Sequence, residues 1–199
     1  MREHSVILVP GLGDKDKLMA FSVRNWEKKY RISPIVHIMP WKENGESFDV
    51  KLNRLLNLVD EIKNDSKLVS LIGVSAGGSA VVNAFIERTE SVHRVINACG
   101  RLAEGSDVHP TLDRAGKGKP TFIESVKKVQ SGIPKMSIQD RQKILTIRPR
   151  FGDETVPSET VVIPGATNVT TPTIEHVLSI AYSFQFPAQM IQFLTNPTI

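Results

Sequence analysis

Residues 6–9, Val-Ile-Leu-Val, are apolar at every position, and Pro10-Gly11-Leu12-Gly13 stops them at once. A half-exposed strand alternates apolar with polar residues, so an unbroken apolar run this short belongs in a parallel sheet covered on both faces. Covering both faces requires helices between the strands, and the rest of the chain supplies them. A helix is expected within Lys17–Tyr30, then a second strand at Ile35–Met39, closed by Pro40. Between Ser47 and Asn64, apolar residues at 48, 52, 55, 56, 59 and 62 share one helical face. Leu68–Ile72, Val92–Ala98 and Lys143–Ile147 read as further strands, with a helix over Ala76–Arg88. Val161–Ile163 and Asn168–Thr171 are weaker extended segments, and Pro187 divides a final helical stretch, Val177–Leu194. The expected fold class is α/β: a three-layer α/β/α sandwich with a mostly parallel central sheet. A chain of 199 residues suits a single domain, 1–199.

One segment departs from this rhythm. Residues 101–142 are polar and interrupted by Gly105, Pro110, Gly116, Gly118, Pro120, Gly132 and Pro134, so a loop-rich cap or lid insertion is expected there. Charge is uneven in the same way: residues 101–150 hold 11 Lys and Arg against 5 Asp and Glu, although the whole chain carries only +4. A basic surface attracts anionic or lipid-like substrates, while a solvated lysine-rich face has the same composition. No aromatic residues alternate with these cations to form a base-stacking platform, so no nucleic acid is expected as a partner.

The single cysteine, Cys99, leaves no internal disulfide and little for a thiolate metal site. No run approaches the roughly 18 apolar residues of a membrane helix, and residues 6–9 are too short for a signal-peptide core. A cytoplasmic setting is the expectation.

The chemistry centres on Leu71-Ile72-Gly73-Val74-Ser75-Ala76-Gly77-Gly78, a Gly-x-Ser-x-Gly sequence between an apolar strand and a helix. A hydroxyl presented on a sharp strand-to-helix turn needs a bent backbone, and glycines two residues to either side leave room for it. The following helix aims N–H groups at the site, which suits a developing oxyanion. A tight turn with an ordinary serine N-cap would carry the same letters, so partners must decide.

A serine hydroxyl attacks only when a base takes its proton. Of His4, His37, His93, His109 and His176, the last follows the final extended segment and opens the final helix, where a base arriving late in the chain belongs. His109 reaches the site only if the basic segment folds over it. The third member is a carboxylate that orients the imidazole. Asp153, in Arg150-Phe151-Gly152-Asp153-Glu154-Thr155-Val156-Pro157, sits beyond the end of a strand; Glu154 competes beside it, and Asp107 and Asp113 further away. Oxyanion donors are expected from the backbone N–H of Ala76 and from the loop Pro10–Asp14, with Leu12 the best candidate. That loop lacks a full Gly-x-Gly-x-x-Gly pattern and a P-loop lysine, which leaves little for a nucleotide.

Together these residues resemble the α/β-hydrolase superfamily, in particular its small lipases and esterases. The likeness runs in order through the apolar strand and Gly-Leu-Gly loop, the Gly-Val-Ser-Ala-Gly turn, Gly-Asp-Glu-Thr-Val-Pro and the late histidine. It implies Ser75 as nucleophile, Asp153 as acid, His176 as base, and Leu12 and Ala76 as oxyanion donors. The activity implied is cleavage of a carboxylic ester or thioester through an acyl-enzyme, without metal or organic cofactor. This chain departs from the family pattern at Pro10-Gly11 where His-Gly is common, at Val74 before the serine, and at Glu175 before the histidine. An acyltransferase or an amidase would use the same groups, and a catalytically silent binding scaffold would keep the fold without needing all three.

Overall fold

The computed structural model describes residues 3–13, 16–42, 45–64 and 68–196. Six strands form one sheet: β1 (His4–Val9), β2 (Ile32–Val36), β3 (Leu68–Val74), β4 (Val92–Ala98), β5 (Ile144–Pro149) and β6 (Thr167–Thr171). Their order is β2-β1-β3-β4-β5-β6, and every neighbouring pair is parallel. From β1 the chain steps outward to β2, then returns across β1 to build all later strands on the other side. The loops leaving β1 and β3 therefore diverge, and a crevice opens at the carboxyl ends of these adjacent strands. Open α/β sheets bind ligands at such a switch point.

Two apolar cores explain the unbroken strand runs. On one face Ile7, Val9, Leu71 and Val95 pack against α3 (Phe48–Asn64), α4 (Ala76–Glu87) and α6 (Pro120–Gly132). On the other, Val6, Leu8, Ile72 and Ile96 pack against α1 (Asp16–Val23), α2 (Trp26–Tyr30) and the C-terminal pair α8 (His176–Gln185) and α9 (Ala188–Thr195). Neighbouring residues of one strand thus face opposite cores, and both must be apolar.

Three segments differ from the sequence expectation. The second strand occupies Ile32–Val36, not 35–39, and includes Pro34; as an edge strand it tolerates a residue without an N–H. Residues 161–163 form no strand. The Asn168 side chain accepts from the Ile163 N–H at 3.1 Å and donates to its carbonyl at 2.9 Å, replacing a strand partner. Residues 101–142 are less loop-rich than their glycines and prolines suggest. Besides the single turns α5 (Leu112–Ala115) and α7 (Ile138–Arg141), they contain the 13-residue helix α6. There the helical spacing of the buried Phe122, Val126 and Val129 outweighs the flanking breakers. A buried polar junction locks α6 to α4: Ser79 and Ser125 hydroxyls meet at 2.6 Å, and Asn83 donates to the Ser125 carbonyl at 2.9 Å.

At the opposite end of the sheet, His4 is buried with Nε2 2.9 Å from the Ser70 hydroxyl and its ring edge-on to His93. Burial, with the neighbouring His93 adding to it, lowers the His4 pKa to about 4. In an unfolded chain the same imidazole takes a proton near 6.5. Below that value the unfolded state therefore binds more protons than the folded one. The stabilisation is complete above pH 6.5 and is lost as pH falls from 6.5 towards 4, by roughly 3 kcal/mol in all. Thermal denaturation across pH is expected to show a fall of the melting temperature by about 8 °C between pH 7 and 4.5 from His4. In His4→Gln the total fall is correspondingly smaller, where the half-buried His93 and His37 still respond. An identical acid response in the two proteins would contradict it.

Candidate active site

The end of β3 shows how the chain presents a hydroxyl. Ser75 has φ 53° and ψ −122°, a region that non-glycine residues rarely occupy. Its N–H donates to the Ala98 carbonyl at 2.9 Å, extending the ladder to β4 by one residue before the chain turns into α4. Both motif glycines are required by backbone packing. A Cβ on Gly73 would run into the Gly77 carbonyl, and one on Gly77 into the carbonyl of Val9 at the end of β1. A Cβ on Gly11 would lie 2.9 Å from that of Ser75. Gly77→Ala is accordingly expected to lower stability by about 3 kcal/mol or more, a melting-temperature loss of roughly 6–12 °C. A calorimetric midpoint equal to that of the parent would refute this close approach.

Ser75 has ordered neighbours. Its Oγ lies 2.9 Å from Nε2 of His176, and Nδ1 of that ring lies 2.8 Å from Oδ2 of Asp153. The Asp153 side chain is 1% exposed and that of His176 7%. A carboxylate can only accept, so Nδ1–H donates to Asp153, and Nε2 is left to accept from the serine hydroxyl. The other carboxylate oxygen of Asp153 accepts from the N–H groups of Thr155 and Val156, both at 2.8 Å. These two bonds fix the carboxylate plane independently of the histidine.

The flanking residues explain the departures noted in the sequence. Glu175 is the N-cap of α8 and accepts from the N–H groups of Leu178 at 2.8 Å and Val177 at 3.1 Å. Those bonds, Leu178 first, hold its carboxyl below the ordinary range. His176 thus projects from the first position of a capped helix, not from a glycine loop. Glu154 is exposed, and its carboxylate accepts from the Thr155 hydroxyl instead of facing the imidazole. His109 is exposed, and His4 and His93 lie together at the far end of the sheet. Cys99, one residue past β4, is buried; burial, helped by the charge of Asp153, raises its thiol pKa well above normal and keeps it protonated. The thiol does not compete as a nucleophile.

Leu12 and Ala76 line, with Ser75, a cavity of about 100 Å³. Among the described residues neither of their N–H groups donates to a protein acceptor. Asp14, at the end of the same loop, and Met1 and Arg2 at the start of the chain lie outside the described residues. The rest of the lining comes from Thr155 and Val156 of the Asp153 loop and from Arg101, Pro110, Ala115 and Phe122, none of which the sequence offered as a site residue. No local signal gives the last four that place, because they lie on separate segments that meet Ser75 only in the fold. Of the basic residues in 101–150, Arg101 alone lines the cavity. Others are engaged elsewhere: Lys128 with Asp49 at 2.8 Å, and Lys143 with Asp140 at 3.2 Å. A larger, open groove of about 580 Å³ runs along α8 past Phe151, Ile174 and Phe186, but none of Ser75, Asp153 and His176 lines it. Among the described residues no group of three or more His, Cys, Asp or Glu is arranged to hold a metal ion, and no helix is long and apolar enough to cross a membrane.

No protein-family model and no curated protein matches this sequence. Solved structures do. An enol-lactonase from Burkholderia xenovorans LB400 superposes with a TM-score of 0.69 at 14% identity, over 98% of this chain and 93% of that one. A hydrolase from Oleispira antarctica gives 0.69 at 13% identity, over 99% and 93% of the two chains. A monoacylglycerol lipase from Paleococcus ferrophilus gives 0.65 at 13%, over 98% and 95%. Identity this low carries the architecture and not the substrate. The chain has the α/β-hydrolase fold.

Proposed function

We propose that this chain, an α/β-hydrolase by fold, is a serine hydrolase that cleaves a carboxylic ester or thioester through an acyl-enzyme on Ser75. The observation that carries the reading is the continuous hydrogen-bonded line from Ser75 through His176 to Asp153, with separations of 2.9 and 2.8 Å. Three side chains drawn from positions 75, 153 and 176 converge at the switch point of the sheet, and such a line has one evident use: moving a proton from hydroxyl to imidazole.

In this mechanism the Ser75 Oγ bonds to the substrate carbonyl carbon as its proton passes to Nε2 of His176. Asp153 stabilises the resulting imidazolium and keeps Nδ1 protonated throughout. The carbonyl oxygen takes up the negative charge and receives the N–H groups of Leu12 and Ala76, which have no other acceptor among the described residues. Collapse of this intermediate breaks the bond to the leaving alcohol or thiol, which departs with the proton from Nε2. Water then enters, gives a proton to His176, attacks the acyl carbon and releases the acid with Ser75 restored. Each proton lent to the ring is returned, so the cycle needs no metal and no organic cofactor. The enol-lactonase and the monoacylglycerol lipase, by their names, act on ester bonds, which agrees with this chemistry.

The direct test is labelling of the folded protein by a small alkyl fluorophosphonate, followed by peptide mass spectrometry. Phosphonylation at Ser75 is expected. A folded protein that stays unlabelled would favour a silent binding scaffold.

A further inference from the structure

We infer that the cavity beside Ser75 is the acyl pocket, and that its end wall restricts the enzyme to esters of short acids. The inference rests on the serine-hydrolase reading above and adds the substrate class to it.

Position assigns the pocket to the acyl side. The leaving alcohol must accept a proton from Nε2 of His176, so it departs on the side of the imidazole. The cavity is lined by Ser75, by Leu12 and Ala76, whose N–H groups have no acceptor among the described residues, and by Thr155 and Val156 of the neighbouring loop, but not by His176. A carbonyl attacked by Ser75 with its oxygen on those N–H groups therefore directs its acid portion into the cavity and its alcohol portion away from it.

Volume sets the limit. At about 100 Å³ the cavity is several-fold smaller than the roughly 300–1,000 Å³ of a site for a drug-sized ligand, so it suits a short acid portion. The end wall is firmly held. Phe122 is 4% exposed and packs edge-on against the buried Trp41, with ring centres 6.1 Å apart. The Ser79–Ser125 and Asn83–Ser125 bonds fix its helix. Pro110 is held by the guanidinium of the buried Arg101. That group donates to the carbonyls of Pro110 at 2.7 Å and Ala103 at 3.0 Å, and also to that of Glu104. A longer chain would have to displace a packed aromatic ring or the Pro110 backbone that Arg101 holds. The open groove along α8 has room for such a chain, but Ser75 does not line it.

The experiment is a series of p-nitrophenyl acetate, butyrate, hexanoate and octanoate with the full chain. We expect kcat/KM to stay within about tenfold from acetate to butyrate, then to fall about 100-fold at hexanoate, since each methylene a pocket rejects is worth about 10-fold or more. Ala115→Leu, which fills the cavity, should abolish butyrate turnover while retaining some acetate turnover. Phe122→Ala should raise hexanoate turnover relative to butyrate. If Phe122→Ala does not fold, the parent series and Ala115→Leu decide the matter. Octanoate turned over as fast as butyrate, with Ser75 still labelled by the fluorophosphonate, would overturn the short-acyl inference and leave the hydrolase reading standing. Absence of labelling would remove both.

Discussion

Ser75→Ala lowers kcat/KM for p-nitrophenyl butyrate by about 10⁶-fold, close to the background rate, while far-ultraviolet circular dichroism and the cooperative melt remain. The size of the loss follows from what Oγ does in the proposed cycle: it is both the atom that bonds to substrate and the donor of the proton that starts the reaction. Nothing else at the site replaces it, because the adjacent Cys99 thiol is buried and held protonated. Alanine accepts the same backbone angles as serine at similar strain, so the turn at φ 53° survives. Turnover of the Ser75→Ala protein within tenfold of the parent would identify another nucleophile.

The second large effect comes from a change of one atom. Asp153→Asn keeps the shape of the side chain and one oxygen to accept from the N–H groups of Thr155 and Val156, so the loop holds its geometry. The atom facing Nδ1 of His176, now 2.8 Å away as an acceptor, becomes an N–H donor. Two donors cannot share that contact, and the imidazole responds by moving its proton to Nε2. There it points at Ser75 Oγ and can no longer take the hydroxyl proton. The expected outcome is a drop in kcat of about 10⁴-fold with KM changed little, because Asp153 positions the base without lining the acyl cavity. A merely structural role would show instead as a lower melting temperature with kcat largely kept. That pattern would remove Asp153 from the mechanism.

Much of the architecture was readable from the letters. The unbroken run at 6–9 demanded burial on both faces, and the sheet meets that demand with a core on each side. The spacing of apolar residues over 48–62 defined α3 almost to its ends. Where the reading slipped, long-range partners had overruled local signals. Pro34 lies within a strand because the strand is at the sheet edge. Ile163 stays out of a strand because the Asn168 side chain satisfies its backbone. The breakers around residues 116–120 and 132–134 concealed α6, whose stability comes from its seat on α4.

At the site the division is sharper. Gly-x-Ser-x-Gly between strand and helix picked out Ser75, and chain order pointed to Asp153 and His176, since a turn and the sequence of elements are written in adjacent residues. Glu154, chemically alike and adjacent, stands as a competitor to Asp153 in the sequence. The loop orientation separates the two, directing the Asp153 carboxylate inward onto His176 and leaving Glu154 exposed. The cavity wall of Arg101, Pro110, Ala115 and Phe122 was likewise set only in three dimensions. Periodicity and turn chemistry fix what each short segment becomes, because their energies act within a few residues. The distance across the sheet depends on strand order and helix docking, which are set by apolar burial summed over the whole chain.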